Sequence, residues 1–167
     1  MANEKLSFWR TLAVTAVVAL ILDQATKLWV VSAVGTYETK RLIGNFLWVT
    51  LTYNNRGIFG LPFGSPVTYY ILPLVGIAFV IYFAIRSTGV LYSLSFGLIL
   101  AGAVGNVLDR IRIGKVIDFI NMGINRSVRW YIYNLADLFL IVGIVLLLVR
   151  EVKKDAKKEK PDEKNLP

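Results

Sequence analysis

The sequence contains no cysteine and no histidine among its 167 residues. The absence of cysteine excludes disulfides, thiolate nucleophiles and cysteine-ligated metal sites. The absence of histidine excludes Ser-His-Asp and Cys-His hydrolases and zinc sites with imidazole ligands. We therefore expect no metal and no cofactor. Any acid–base chemistry must come from the 11 Asp and Glu residues, from lysine or from tyrosine.

Charged residues are also absent from three long stretches, 57–85, 87–108 and 138–149. A stretch of about 20 apolar residues is long enough to cross a bilayer, so the sequence predicts an integral membrane protein. The expected fold is an all-α bundle of four transmembrane helices at about residues 11–34, 67–85, 90–108 and 131–149.

Residues 1–150 are predicted to form a single domain. Residues 151–167 are highly charged, and we expect them to be a disordered cytoplasmic tail. Lys5 and Arg10 before the first apolar run also fit a cleaved signal peptide. The apolar character resumes at Leu28, however, and this favours a membrane span.

The net charge of +8 indicates an anionic partner. Because the basic residues flank the apolar stretches, we expect membrane phospholipids in this role and no nucleic acid. Of the 19 Lys and Arg residues, ten fall on the side of the two chain ends and eight on the other side. The positive-inside rule therefore favours cytoplasmic termini.

The two longer connections contain segments rich in β-branched and aromatic residues. NFLWVTLTY lies within residues 35–66 and KVIDFINMGI within residues 109–130, and both are typical of strands. We therefore expect a small β-rich element at the membrane face away from the termini.

The third span carries small residues at a spacing of four, at Gly97, Ala101 and Gly105. Small residues on one face allow helices to pack closely in lipid. Asp109 is the next position on that face, so the packed face ends in a polar cluster.

The first span is interrupted by DQATK, residues 23–27. Asp23 and Lys27 are four residues apart on a helix, in the favourable order for an ion pair. The simplest interpretation is a neutralised pair that clamps this helix.

Asp118 and Asp137 are the carboxylates that most need explanation. Asp118 interrupts an apolar strand, and Asp137 lies near the start of the fourth apolar run. Asn134 and Asp137 are three residues apart, so together they can cap that helix. Capping does not account for Asp118. Two carboxylates brought close together share one proton, and such a pair activates water without a metal or histidine.

Four motifs in this order resemble the lipoprotein signal peptidase (signal peptidase II) family. They are DQATK at 23–27, GNVLDR at 105–110, VIDF at 116–119 and NLAD at 134–137. The family's second motif falls between the first two of these, and here it departs from the pattern. Asn55-Arg56-Gly57-Ile58-Phe59-Gly60 is one residue short, and alignment on Phe59-Gly60 selects Asn54, so both asparagines stay candidates.

The resemblance implies an aspartic endopeptidase of the bacterial inner membrane with its active site at the outer face. It would remove signal peptides from diacylglyceryl-modified prolipoproteins, cutting just before the lipid-modified cysteine, and we expect it to act as a monomer. The matching positions imply Asp118 and Asp137 as catalytic residues. They also imply a set of substrate-binding residues: Asn106, Arg110, Asn134 and either Asn54 or Asn55. The residues that they imply near the site are Asp23, Lys27 and Asp109.

Two other classes remain open from the residues alone. A small proton-coupled transporter would place Asp23 and Asp137 along a pathway near the bilayer midplane. A purely structural membrane subunit would leave Asp118 unexplained. Asp109, Asp118 and Asp137 are instead expected to cluster at one membrane face, which favours an enzyme.

Overall fold

A computed structural model of the protein describes residues 2–55 and 66–158. Its elements follow in the order α1 (Ala2–Ala33), β1 (Thr39–Ile43), β2 (Leu47–Asn54), α2 (Pro66–Arg86), α3 (Val90–Ile113), β3 (Val116–Met122) and α4 (Leu135–Lys158). The described part is therefore mostly helical with one small sheet.

Three of the described helices are long and apolar enough to cross a membrane: Ala2–Ala33, Tyr69–Arg86 and Val90–Ile113. Their outward faces carry large exposed apolar side chains, such as Val14 and Phe79. The helix α4 is less uniformly apolar, because the stretch from Leu135 to Val152 includes Asp137, Arg150 and Glu151. The predicted fourth crossing therefore stays a prediction.

The helix α3 packs closely against α1 through its small residues. A Cβ added at Gly97 would lie 2.8 Å from the Leu12 carbonyl oxygen, and one at Gly105 would lie 2.6 Å from Asp23 Oδ2. The predicted close packing along this face is confirmed. The order of these contacts shows that α1 and α3 run in the same direction.

The three strands form one antiparallel sheet in the order β1-β2-β3. The strands β2 and β3 lie in the two predicted segments, whereas β1 was not predicted. All five residues of β1 are exposed. Because β1 is an edge strand with Lys40 and Arg41, its sequence resembles a charged loop, and lysine at a sheet edge blocks further strand pairing.

The sheet sits at one end of the helical bundle. Val30 near the end of α1 and Val34 just after it pack under Leu51, Ile117 and Phe119 of the sheet. The opposite end holds the start of α1 and the end of α4. There Phe8 packs near Tyr92, and the Tyr92 hydroxyl donates a hydrogen bond to Glu151.

The predicted start of the fourth helix at Tyr131 is wrong, because α4 begins at Leu135. Tyr133 forms an isolated bridge with Ile120 and so remains extended. The Asp137 N–H donates to Asn134 Oδ1 at 2.9 Å, which confirms the predicted cap. The helix starts where the bridge to β3 ends.

Several other boundaries differ from the predicted ones. The helix α3 continues past Leu108 to Ile113 and stops at Gly114, whose φ of 70° is the left-handed conformation favoured by glycine. The helix α4 continues to Lys158, so the beginning of the charged tail is helical. Residues 56–60 of the second motif and the end of the tail, 159–167, lie outside the described residues.

Candidate active site

Asp118 lies in β3 and is 2% exposed. Both of its carboxylate oxygens accept hydrogen bonds from asparagine amides. Asn134 Nδ2 donates to Oδ1 at 2.7 Å, and Asn54 Nδ2 donates to Oδ2 at 3.0 Å. The antiparallel pairing of β2 with β3 brings Asn54 to this carboxylate.

Asp137 lies in the first turn of α4. Its Oδ1 accepts a hydrogen bond of 2.9 Å from Asn106 Nδ2, and its Oδ2 accepts one of 3.4 Å from the Asn134 backbone N–H. Asn134 Nδ2 also donates to Asn106 Oδ1 at 3.1 Å. Two asparagines therefore connect the carboxylates of Asp118 and Asp137.

Both aspartates line one cavity of about 540 Å³ between α2, α3 and α4. The cavity has a polar end formed by Asn54, Asn106, Arg110, Asp118, Tyr131 and Asp137. The rest of its wall is apolar and includes Leu72, Phe79, Ile99, Leu140 and Ile144. A cavity of this shape fits an amphiphilic ligand with its polar part at the carboxylates.

Asp118 is held in a setting that disfavours its charged form. Burial raises its pKa from 3.8 to about 7, and the nearby Asp137 carboxylate adds to this. The amide donors of Asn54 and Asn134 and the charge of Lys27 act in the opposite direction. Asp118 therefore exchanges a proton near neutral pH, which suits a general acid.

Three charged residues form a buried cluster beside the carboxylates. Lys27 Nζ lies 2.8 Å from Asp23 Oδ2 and 2.8 Å from Asp109 Oδ2. The predicted pair of Asp23 and Lys27 is present, and Asp109 joins it. Asp23 Oδ1 also accepts the Ala136 N–H at 2.9 Å. The cluster thus ties α1 and α3 to the start of α4.

Arg110 lies at the polar end of the cavity, as the third motif suggested. Its Nη1 donates to the Asn106 carbonyl oxygen at 3.2 Å. Within the described residues it forms no ion pair with a carboxylate. Asn55 is exposed and lies beside Arg110 in an adjacent cavity of about 110 Å³. Of the two candidate asparagines, Asn54 is the one that contacts Asp118.

Two residues of the site were missed by the sequence reasoning. Gln24 Nε2 donates to Asp23 Oδ2 at 3.0 Å and to Asp109 Oδ1 at 3.2 Å. Its position between Asp23 and Lys27 in the DQATK motif could have indicated this role. Tyr131 lines the cavity, and burial together with Asp137 and Asp118 raises its pKa to about 12. Because Tyr131 was predicted to begin the fourth helix, its place in the cavity wall was not predicted.

The side chains present can carry out acid–base chemistry. Among residues 2–55 and 66–158, no group of three or more Asp, Glu, His or Cys residues is placed to hold a metal ion. The two carboxylates, their amide donors, one arginine and one tyrosine are the polar groups of this cavity. A carboxylate pair of which one member keeps its proton can activate water and protonate a carbonyl oxygen.

The chain is similar to proteins of one family over most of its length. A family model described as signal peptidase (SPase) II matches residues 15–153. A lipoprotein signal peptidase from Syntrophomonas wolfei is 39% identical over 141 residues, which cover 84% of this chain and 91% of that protein. The lipoprotein signal peptidase from Syntrophus aciditrophicus is 32% identical over 152 residues, covering 87% and 94%.

A solved structure shares the fold. It is a bacterial membrane enzyme determined by the in meso method at 2.3 Å resolution, with a TM-score of 0.81 and 29% identity. The match covers 92% of this chain and 93% of that chain.

Proposed function

Because this chain belongs to the signal peptidase II family, we propose that it removes signal peptides from prolipoproteins with Asp118 and Asp137 as the catalytic pair. The observation that carries this proposal is the placement of both carboxylates at the polar end of one cavity. The chain is an aspartic peptidase by family, and the transporter alternative has no support from the comparisons.

The two carboxylates divide the acid and base roles. Asp118, with a pKa of about 7, holds the shared proton near neutral pH. The ionised Asp137 takes a proton from water, and the water oxygen bonds to the carbonyl carbon of the scissile peptide. Asp118 gives its proton to the carbonyl oxygen, which forms a tetrahedral diol.

Breakdown of the tetrahedral diol returns Asp118 and Asp137 to their starting protonation states. Asp137 passes its acquired proton to the leaving nitrogen as the C–N bond breaks. One diol hydroxyl returns a proton to Asp118, and the products are a carboxylic acid and an amine. The sum of these steps is the addition of one water across one peptide bond.

Arg110 is proposed to hold the substrate and to leave proton transfer to the aspartates. It lies at the same polar end as the pair and carries five N–H donors in a fixed planar arrangement. Such a group suits backbone or ester carbonyl oxygens. Asn54, Asn106 and Asn134 hold the two carboxylates, and Asn54 is the proposed second-motif residue.

The apolar wall of the cavity suits a lipid-modified substrate. A second cavity of about 560 Å³ shares Phe79, Val80 and Ile99 with the first, so the apolar groove continues along α2. We infer that diacylglyceryl chains and the apolar part of the signal peptide lie here. The scissile bond, just before the modified cysteine, then reaches the polar end.

The proposed membrane placement follows from the direction of the helices. The start of α1 and the end of α4 share one end of the bundle, opposite the sheet. We propose that α4 also crosses the membrane, that residues 1–150 act as one monomeric domain among membrane phospholipids, and that 151–167 form a cytoplasmic tail. The active site then faces the outer side of the bacterial inner membrane.

The catalytic assignment is tested by cleavage of a synthetic diacylglyceryl-modified precursor in detergent. Asp118→Asn and Asp137→Asn should each lower kcat by roughly 10²–10⁴-fold or more. Asp155→Asn at the other end of α4 is the matched control and should cleave normally. Substantial cleavage by either active-site variant would contradict the pair, and equal cleavage of an unmodified precursor would contradict the lipid requirement.

The orientation is tested with reporters. A reporter that is active only in the cytoplasm, fused after Pro167, should be active. The same reporter inserted after Arg56 should be silent. The opposite pattern would reverse the proposed topology.

A further inference from the structure

Lys27 is almost completely buried, with 1% of its surface exposed. Its ammonium group has three hydrogens and three partners. Two are the carboxylates of Asp23 and Asp109, each at 2.8 Å. The third is the side-chain oxygen of Asn106, at 3.2 Å. This third contact is not needed to neutralise the two acids.

The contact with Lys27 is one of two that hold the Asn106 amide in its direction. An ammonium group can only donate hydrogen bonds, so the amide oxygen of Asn106 must face it. The same oxygen also accepts from Asn134 Nδ2 at 3.1 Å. The NH₂ end of Asn106 is thereby directed to Asp137 Oδ1, 2.9 Å away.

We propose that Lys27 is a positioning residue for the carboxylate pair, because it locks the Asn106 amide with its NH₂ group on Asp137. The inference rests on the proposed function and gives one residue of the buried cluster a part in the reaction. Without the ammonium group only Asn134 would hold the Asn106 oxygen, and the amide would turn its oxygen to Asp137 more often when that carboxyl is protonated. Asp137 would then be held in its acid form and would not accept a proton from water.

The Asn106 side-chain oxygen also connects Lys27 to Asp118, through Asn134. Asn134 presents its NH₂ group to the Asn106 oxygen, because its own side-chain oxygen accepts the Asp137 backbone N–H at 2.9 Å. That NH₂ group also donates to Asp118 Oδ1 at 2.7 Å. The buried ammonium group and the Asp137 backbone N–H thus each direct one of the two amides that link Asp118 to Asp137.

A test must separate this positioning from the neutralisation of buried charge. The cluster of Asp23, Lys27 and Asp109 has a net charge of −1. Replacing Lys27 alone would leave two unpaired buried carboxylates and would destabilise the fold. Lys27→Met combined with Asp109→Asn keeps the net charge at −1. It removes the ammonium donor and replaces the Asp109 carboxylate, which accepts the Ile117 N–H at 3.2 Å, by an amide. Lys27→Met with Asp23→Asn is a second charge-balanced variant.

We expect each double variant to fold but to lose kcat on the order of 10–100-fold, the usual cost of losing a group that orients a functional side chain. KM should stay near the wild-type value, because no substrate-contacting group changes. Asp109→Asn alone is the matched control. It keeps the contact between Lys27 and Asn106, so its kcat should lie within a few-fold of wild type.

A double-mutant cycle tests whether Lys27 acts on the carboxylate pair through Asn106. Asn106→Ala should lower kcat by itself, and adding Lys27→Met with Asp109→Asn should cause no further loss. Folding is followed through tryptophan fluorescence during heating, because the chain has four Trp residues.

Four results would overturn the inference: folded double variants with the kcat of Asp109→Asn, a change confined to KM, additive losses in the Asn106 cycle, or failure of both double variants to fold. The last would show that Lys27 serves stability alone. Asp118→Asn is assayed in parallel. If it cleaves normally, the proposed function has failed, whereas an inactive Asp118→Asn beside fully active Lys27 variants shows that only this inference has failed.

Discussion

Replacing Asp118 with asparagine should make the protein inactive but more stable at alkaline pH. In the folded protein the Asp118 pKa is raised from 3.8 to about 7, mainly by burial. A carboxyl with a raised pKa holds its proton more tightly in the folded state. Its favourable contribution is therefore complete below about pH 4 and is lost as the pH rises through about 7.

The size of the effect follows from the two pKa values. Each pH unit between them corresponds to about 1.4 kcal/mol, so the ionised Asp118 costs the folded state about 4 kcal/mol above pH 7. The asparagine side chain of the variant cannot ionise and avoids this cost. Its single amide oxygen satisfies the donors of Asn54 and Asn134 less well than a carboxylate, but that loss is the same at every pH.

The assay compares melting temperatures of wild type and Asp118→Asn in one detergent at several pH values between 4 and 8. We expect the variant to gain on the order of 10 °C relative to wild type across this range. Asp155→Asn should show no such divergence. Wild-type kcat should also fall as the pH rises above about 7, because Asp118, the proposed general acid, is then deprotonated. Parallel melting curves for Asp118→Asn and wild type would refute the argument that burial suppresses the charge.

Other substitutions test the neighbouring residues. Arg110→Lys should lower kcat/KM by about 10–100-fold, since it loses a charge-assisted contact, whereas Arg112→Lys should not; equal cleavage by both would make Arg110 a membrane anchor. Asn54→Ala should reduce kcat and Asn55→Ala should not, and the reverse result would move the second-motif role to Asn55. Gly105→Ala should destabilise the protein by about 1–3 kcal/mol, because the new Cβ would lie 2.6 Å from a carboxylate oxygen, and an unchanged melting temperature would contradict the close packing of α1 and α3. Chelators should not change cleavage, and inhibition reversed by added metal would point to a metal-dependent reaction.

The helices and the strands β2 and β3 could be predicted because single, local patterns specify them. Uncharged stretches of membrane-spanning length predict helices, and β-branched segments between them predict strands. The strand β1 could not be predicted this way. Its five exposed residues include Lys40 and Arg41, and only pairing with β2 makes them a strand. The start of α4 was misplaced for the same reason, because the bridge from Tyr133 to Ile120 is a tertiary contact.

The catalytic candidates could also be predicted from the sequence, because an ionisable residue in an apolar segment is costly and calls for an explanation. The order of the motifs also indicated the family. The sequence indicated that Asp23 and Lys27 pair, since they are one helical turn apart. It did not indicate that Asp109 completes the cluster, which requires α3 to pack along α1.

Only the tertiary structure decided how the two aspartates are held. Asp118 and Asp137 are far apart in the chain, and no periodicity brings a strand residue to the first turn of a helix. Their connection passes through Asn106 and Asn134, whose amides are directed by contacts with α1 and with the start of α4. The contact of Asn54 with Asp118 likewise depends on strand pairing. Local sequence determines which segments form and which residues carry chemistry, whereas hydrogen-bond direction in a buried site depends on partners that are distant in the chain.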